Sequence, residues 1–294
     1  MYPATGGKED RFIWPGFVVF GIPVDYGPAM TGEANISHPR ARRSEPDQGS
    51  AHFSFRTVAE ADKANLVRTV FDTVAPKYDL MNDLMSAGIH RMWKAAMIDS
   101  LAPRVGESVV DLAGGTGDIA FRILDRIGAT TTPVTVCDIN TEMLSVGCDR
   151  ALNRGHLTGV LWVCGDAEDL PFPDMKFDAC TVAFGLRNVT HIDQALAEVR
   201  RALKPGGRFI CLEFSKVLVP VLDKLYDMYS FNILPWLGEI VTGDREAYLY
   251  LAESIRRFPD QKAFKNRMTA AGFSQVKVRN LSGGIAAIHT GWRA

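Results

Sequence analysis

The sequence has no excess of either charge, no paired cysteine motif and no long apolar run. Its 33 basic and 34 acidic residues nearly cancel, which excludes a surface built for non-specific nucleic-acid binding. The five cysteines are odd in number and include no C-x-x-C pair, so we expect free thiols in a reducing compartment. Neither they nor the six histidines have metal-ligand spacing, and we predict no metal.

Residues 1–50 differ in composition from the rest of the chain. They contain 13 prolines and glycines, close to the roughly 25–30% that is typical of disorder. The apolar run at residues 12–24 is interrupted by Pro15 and Pro23 and is well short of the ~20 residues that cross a bilayer. We predict a disordered extension, or one created by a start codon assigned too far upstream, followed by a single folded domain over residues 51–294.

Apolar strands alternate with amphipathic helices from residue 108 onward. This alternation predicts an α/β fold with a doubly wound, mostly parallel sheet. Lys204-Pro205-Gly206-Gly207 is expected to end a helix and turn into the fifth strand. Two alternating segments around Ser282-Gly283-Gly284 predict a C-terminal antiparallel hairpin, which makes seven strands. The predicted strands span residues 108–112, 134–138, 160–164, 177–184, 208–213, 272–280 and 284–290.

A glycine-rich turn follows the first of these strands. The segment 109–118, VVDLAGGTGD, ends an apolar strand in a carboxylate and then has three glycines within four residues. Such a turn lets backbone N–H groups approach a ligand at a helix N-terminus. Two cofactor classes use it: a dinucleotide, with Asp138 about 20 residues on as the ribose-binding acid, and S-adenosyl-L-methionine.

Asp111 favours the second cofactor. It lies at the strand end, where its carboxylate repels a pyrophosphate and attracts the cationic amino-acid part of S-adenosyl-L-methionine. A tight turn without any ligand is the third alternative.

Two stretches resemble a known enzyme family. The pattern YD-x-MN-x-x-MS-x-x-x-H-x-x-W at residues 78–93 and FGLRNV at residues 184–189 are similar to signatures of the ubiquinone/menaquinone biosynthesis C-methyltransferases. Further similar stretches lie at residues 170–173, 203–208, 212–216 and 250–255, so the resemblance runs from about His52 to the C-terminus. It implies a Rossmann-like class I methyltransferase that moves a methyl group from S-adenosyl-L-methionine to a ring carbon of a polyprenylated benzoquinol or a demethylmenaquinol.

The resemblance also implies the cofactor contacts. Asp138 would accept from the ribose hydroxyls and Asp166 from the adenine amino group, while N–H groups of the glycine turn meet the methionine carboxylate. Asp138 and Asp166 could instead be helix N-caps. Ala183 stands where some family members have a serine that contacts the cofactor, so any contact there is through its backbone. The predicted cofactor-binding residues are Asp111, Gly115, Thr116, Gly117, Asp138, Asp166, Ala167 and Ala183.

The methyl acceptor needs electron density on its ring carbon. A phenol with a pKa of about 10 requires a base or a cation that stabilises its phenolate. Arg187 can supply that cation together with the Asn188 amide, and the resemblance makes Arg187, Asn188 and Tyr78 substrate-side residues. Arg187 could instead form a surface ion pair. His90 is a candidate proton acceptor, although a structural histidine in a lid over residues 78–93 is the favoured alternative.

The predicted partners follow from this substrate. The polyprenyl tail lies in a bilayer, so we expect a cytoplasmic protein peripheral at the inner membrane face, or on the matrix side of a mitochondrial membrane. The apolar segment 217–241 is predicted to line the tail route or to be buried, for instance in a homodimer. A methyltransferase for another small phenol and a non-catalytic scaffold of a quinone-biosynthesis complex are the alternative functions. Tail length, the choice between benzoquinol and naphthoquinol, and the general base stay open.

Overall fold

The computed structural model describes residues 88–128, 132–156, 158–217 and 245–294, with Asn82, Asp83, Ser86 and four short strands before them. The short strands form two antiparallel pairs, β1 (Arg11–Trp14) with β2 (Phe17–Phe20) and β3 (Ser50–Phe53) with β4 (Arg56–Ala59). The later strands are β5 (Val109–Leu112), β6 (Val134–Asp138), β7 (Val160–Cys164), β8 (Phe177–Ala183), β9 (Leu203–Phe214), β10 (Phe273–Leu281) and β11 (Ala286–Arg293). The helices are α1 (His90–Leu101), α2 (Asp118–Ile127), α3 (Thr141–Asn153), α4 (Ile192–Ala202), α5 (Arg245–Arg257) and α6 (Gln261–Ala270).

Nine strands form one sheet in the order β1-β2-β7-β6-β5-β8-β9-β11-β10. Neighbours from β7 to β9 are parallel, and β11 and β10 close the sheet as an antiparallel hairpin. These seven strands confirm the predicted sheet and hairpin. The N-terminal hairpin adds two strands by pairing β2 with β7, local structure that the predicted disordered extension did not include.

The core lies on both faces of this sheet because the central strands alternate their side chains between two buried clusters. Val109 and Val136 pack with α1 and α2 on one face, and Val110 and Cys137 pack with α4 and α6 on the other. Buried apolar strands covered on both faces are the reason that the parallel sheet could be predicted from residue type alone.

The turn at residues 204–207 follows the end of a helix and precedes the continuous strand pairing, as predicted, but it lies within the bounds of β9 rather than before them. α4 ends at Ala202, and β9 begins directly at Leu203. The pairing with β8 then jumps from Leu203 opposite Phe177 to Arg208 opposite Ala179. The intervening residues loop out, with Gly206 at φ 75°, a value that favours glycine.

Several predicted features lie outside the described residues. These are most of residues 1–50, Tyr78 and much of the proposed lid, and the apolar segment beyond Val217. Within the described ranges no helix is long and apolar enough to span a bilayer, and no three His, Cys, Asp or Glu side chains are grouped for a metal ion. The cysteines are free thiols, and Cys137, Cys180 and Cys211 are buried, as expected of small core residues.

Candidate functional site: a pocket at the carboxyl edge of the sheet

The pocket opens at the carboxyl end of β5, where the order in which strands are added to the sheet reverses. β5 pairs with β6 on one side and β8 on the other, and ligands of doubly wound sheets bind at the carboxyl ends of strands at such a point. The loops after β5 and β8 touch there: a Cβ on Gly185 would lie 2.4 Å from the Cβ of Ala113. Ala113 and Phe184 have φ values of 48° and 57°, strained backbone that clusters at functional sites.

The glycine turn lies over the indole ring of Trp162 in β7. Gly117 has φ 80° and precedes α2, and a Cβ there would approach the ring to 2.5 Å. A Cβ on Gly147 in α3 would approach the same ring to 2.4 Å. Both positions therefore need glycine, because any side chain would push the turn away from the sheet.

The N–H groups of this turn are already used within the protein. Gly115 donates to Oδ2 of Asp138 at 2.8 Å, and Gly117 donates to the Gly114 carbonyl at 2.9 Å. The amide nitrogen of Gly114 lies 3.4 Å from the carbonyl oxygen of Cys137. A methionine carboxylate would have to share or replace these acceptors to bind Gly115 and Gly117, so their predicted contact with the cofactor stays a prediction.

Asp138, at the end of β6, holds two loops of the pocket wall through its carboxylate. Besides Gly115, its carboxylate accepts from the Asn140 N–H at 2.8 Å. Burial raises the pKa of Asp138, and these backbone donors oppose that shift. The N-cap alternative is wrong for Asp138, because Asn140 caps α3 by accepting from Met143.

Asp166 follows β7 and also lines the pocket. Its carboxylate accepts from the Glu168 N–H at 2.9 Å within a tight turn that leads to no helix. The N-cap alternative is thus wrong here as well. Ala167 and Ala183 line the same pocket, as does Thr116, whose hydroxyl accepts from Arg150 at 3.0 Å.

Further charged groups line the pocket near the glycine turn. Asp111 is 0% exposed, and its Oδ1 accepts from the Thr181 hydroxyl at 2.7 Å. Burial raises the pKa of Asp111 to about 7, and its Oδ2 has no hydrogen-bond partner among the described residues. Lys94 on α1 and Asp118 on α2 line the pocket too and form an ion pair at 2.8 Å.

Arg187 forms a buried ion pair behind the pocket. Its side chain is 0% exposed, and Nη1 lies 3.3 Å from Oε2 of Glu213 and also donates to the Phe184 carbonyl. The surface ion-pair alternative is therefore wrong. Nε and Nη2 of Arg187 are buried and have no acceptor in the described part of the chain, so the guanidinium keeps donors for a further group.

Asn188 faces the pocket directly. The hydroxyl of Tyr250 on α5 donates to its Oδ1 at 3.1 Å. Burial raises the pKa of Tyr250 to about 12, which keeps this phenol protonated and able to donate at neutral pH. The bond leaves the amide NH₂ of Asn188 as the group available to a substrate.

Three residues of this site were missed: Lys94, Glu213 and Tyr250. Glu213 and Tyr250 belong to two of the family-like stretches, which could have indicated them, but nothing in their spacing shows which side chain they contact. The only indication of Lys94 in the sequence was a charged residue on the apolar face of α1, between Trp93 and Met97.

His90 does not line the pocket formed by the described residues. Its Nδ1 hydrogen-bonds the Ser86 hydroxyl at 2.9 Å, and the side chain is buried. Burial and then the Lys94 charge lower the pKa of His90 to about 4. This environment favours the structural alternative over the proton acceptor.

We expect His90 to make stability depend on pH. Its folded pKa lies below the ordinary 6.5, so the unfolded state binds more protons, and the contribution of His90 falls as the pH drops from about 6.5 towards 4. The advantage of the wild type over His90→Gln should shrink by about 2 kcal/mol between pH 7.5 and pH 5. Urea unfolding at several pH values measures the difference in free energy of unfolding between the two proteins. A difference that does not change with pH would show that folding does not shift the pKa of His90.

This chain has the fold and site of a class I S-adenosyl-L-methionine-dependent methyltransferase. The features that indicate it are the strand order, the glycine turn next to Asp111, and Asp138 at the end of β6. The chain belongs to the ubiE/COQ5 methyltransferase family, whose model matches residues 57–293.

Curated relatives agree with this assignment, and a solved structure has a similar fold. The chain is 57% identical over 249 residues to the ubiquinone/menaquinone biosynthesis C-methyltransferase UbiE of Paracoccus denitrificans, covering 84% of this chain and 99% of the relative. It is 48% identical to the mitochondrial 2-methoxy-6-polyprenyl-1,4-benzoquinol methylase of Mus musculus, covering 86% and 88%. In fold it is similar to a methyltransferase from Thermotoga maritima, with a TM-score of 0.55, 19% identity and coverage of 77% and 99%.

Proposed function

We propose that this protein methylates a ring carbon of a polyprenylated benzoquinol or a demethylmenaquinol. The observation that carries the proposal is the meeting of two sets of groups at one sheet edge: cofactor-type carboxylates on β5 and β6, and the Arg187-Asn188 pair after β8. The names of the relatives in Paracoccus denitrificans and Mus musculus support the substrate class.

The pocket fits S-adenosyl-L-methionine at both of its ends. Oδ2 of Asp111, which has no hydrogen-bond partner among the described residues, suits a cationic group. Asp138 keeps acceptor capacity for ribose hydroxyls beyond the bonds from Gly115 and Asn140. When bound, the cofactor supplies a methyl group activated by its sulfonium. Asp166 and Ala167 lie where the adenine would be held.

The substrate side has two donors next to each other. The Asn188 amide reaches the pocket, and Arg187 keeps two buried N–H groups without acceptors among the described residues. The Asn188 amide would bind a quinol hydroxyl, and the Arg187 charge behind it would stabilise the phenolate, which raises electron density on the ring carbon. Glu213 holds the guanidinium in place, and Tyr78 completes this side in the proposal.

The protein would work at a membrane face, because the substrate carries its tail in the bilayer. Ile89 and Met92, which are 40% and 72% exposed, lie at the start of α1, the helix that brings Lys94 to the pocket. Apolar residues at this position support a peripheral contact with lipid, on the matrix side if the cell is eukaryotic. The apolar segment beyond Val217 is the second proposed contact, for the tail or for a second copy of the chain.

Methyl transfer from labelled S-adenosyl-L-methionine tests the proposal. We expect initial rates at least tenfold higher with a short-chain demethylated benzoquinol or a demethylmenaquinol than with a simple phenol, and co-sedimentation with vesicles that carry a long-tailed quinol. Calorimetry should show binding of S-adenosyl-L-methionine and none of NAD. Equal rates with the phenol would favour another small-molecule methyltransferase, and binding without transfer would favour a scaffold.

A further inference from the structure

Lys94 occupies a position where an apolar residue is expected. It is 4% exposed and lies on the buried face of α1 with Trp93, Met97 and Ile98. Burying an ammonium is costly unless it is paired, and Lys94 is paired with Asp118 on α2. Lys94 nevertheless lines the proposed cofactor pocket, and its ammonium has three N–H donors. Among the described residues, Asp118 is the acceptor that the structure gives it.

Asp118 does not serve Lys94 alone. Asp118 also pairs with Arg122, at 3.1 Å, so one carboxylate serves two cations. The neighbouring His90 adds no charge near neutral pH, because burial lowers its pKa to about 4. Lys94 therefore shares its carboxylate partner with a second cation, which lies outside the pocket.

The carboxyl group of Asp111 lines the same pocket as Lys94. Asp111 is fully buried, and its Oδ2 has no hydrogen-bond partner in the described ranges. The Lys94 charge is close enough to oppose the rise in the pKa of Asp111 that burial causes. A cation and a carboxylate oxygen thus line the same pocket, and binding the two charged groups of an amino acid requires both.

Two N–H groups of the usual anion site in such a fold already have acceptors here. The N–H groups of Gly115 and Gly117 donate to Asp138 and to the Gly114 carbonyl. An anionic group entering the pocket would have to displace these bonds or use another donor. Lys94 is the buried cation among the pocket-lining side chains of the described residues.

We infer that Lys94 binds the carboxylate of the methionine moiety of S-adenosyl-L-methionine, beside Asp111 Oδ2, which receives the ammonium of the same moiety. Lys94 then selects ligands that carry an intact amino-acid end. The inference rests on the proposed function, because it assumes that this cofactor occupies the pocket.

Calorimetric titration with a ligand that lacks the carboxylate tests the inference. Lys94→Met should weaken binding of S-adenosyl-L-methionine by about 10- to 100-fold, the scale of one charge-assisted hydrogen bond. It should change binding of decarboxylated S-adenosylmethionine by less than about twofold. Arg122→Met is the matched control, because it removes the other cation on Asp118 from outside the pocket, and it should leave both affinities within about twofold.

Asp111→Asn provides the complementary arm. It keeps the Oδ1 that accepts from Thr181 and should weaken both of these ligands, since both carry the ammonium. It should not change binding of 5′-methylthioadenosine, which lacks both groups.

Each result of this series decides for or against the inference. Equal losses for the two ligands in Lys94→Met, or no loss for either, would overturn it. If Lys94→Met unfolds, the double variant Lys94→Met/Asp118→Asn removes both charges of the pair, and the same ligand comparison applies. A wild-type protein that binds no S-adenosyl-L-methionine would instead refute the proposed function.

Discussion

Arg187→Ala is expected to lower the rate of methyl transfer by about a hundredfold or more, the scale of losing one charge-stabilising donor. The affinity for S-adenosyl-L-methionine should change by less than about threefold, because Arg187 lies behind the pocket wall and not among its lining residues. Rates under saturating cofactor and calorimetric titration separate the two effects.

The same substitution should also destabilise the protein. Glu213 is 1% exposed and would lose its cation, and breaking a buried pair by removing one partner costs about 3–5 kcal/mol. The double variant Arg187→Ala/Glu213→Gln is the control, since it removes both charges and should regain stability without regaining activity. A double variant that transfers methyl groups at a nearly wild-type rate would contradict any role of Arg187 towards the substrate.

Asp138→Ala is expected to weaken binding of S-adenosyl-L-methionine by about 2 kcal/mol or more, or about 30-fold. Its carboxylate would lose charge-assisted bonds to the ribose hydroxyls. The structure adds a second cause, because Gly115 and Asn140 would lose their acceptor and the glycine turn would lose its tie to β6.

A carboxylate at the other end of the sheet is the control for Asp138. Asp178 in β8 binds the Ser108 N–H and Lys204 and does not line the pocket, so Asp178→Ala should leave cofactor affinity within about twofold. Unchanged affinity in Asp138→Ala would remove the ribose assignment.

Local signals account for what the sequence predicted. Buried strands such as Val109–Leu112 consist almost entirely of apolar residues, and the glycine turn after them is a contiguous motif, so sheet, hairpin and cofactor pocket could be read without any long-range contact. The bounds of β6 and β7 match the predicted residues.

The remaining site residues depend on pairs that are distant in sequence. Lys94 meets Asp118 24 residues on, and Arg187 meets Glu213 26 residues on. Tyr250 reaches Asn188 across 62 residues. No periodicity encodes these contacts, which explains why Arg187 could be singled out while its burial behind the pocket could not.

The position of the transferred methyl group tests the central claim most directly. The protein is incubated with S-adenosyl-L-methionine labelled with ¹³C in its methyl group and with a short-chain demethylated quinol, and the product is examined by NMR. We predict a ¹³C methyl resonance coupled to a ring carbon of the quinol, with formation of S-adenosylhomocysteine in equal amount. A label on a quinol oxygen, or no transfer by folded protein that binds the cofactor, would contradict a ring C-methyltransferase.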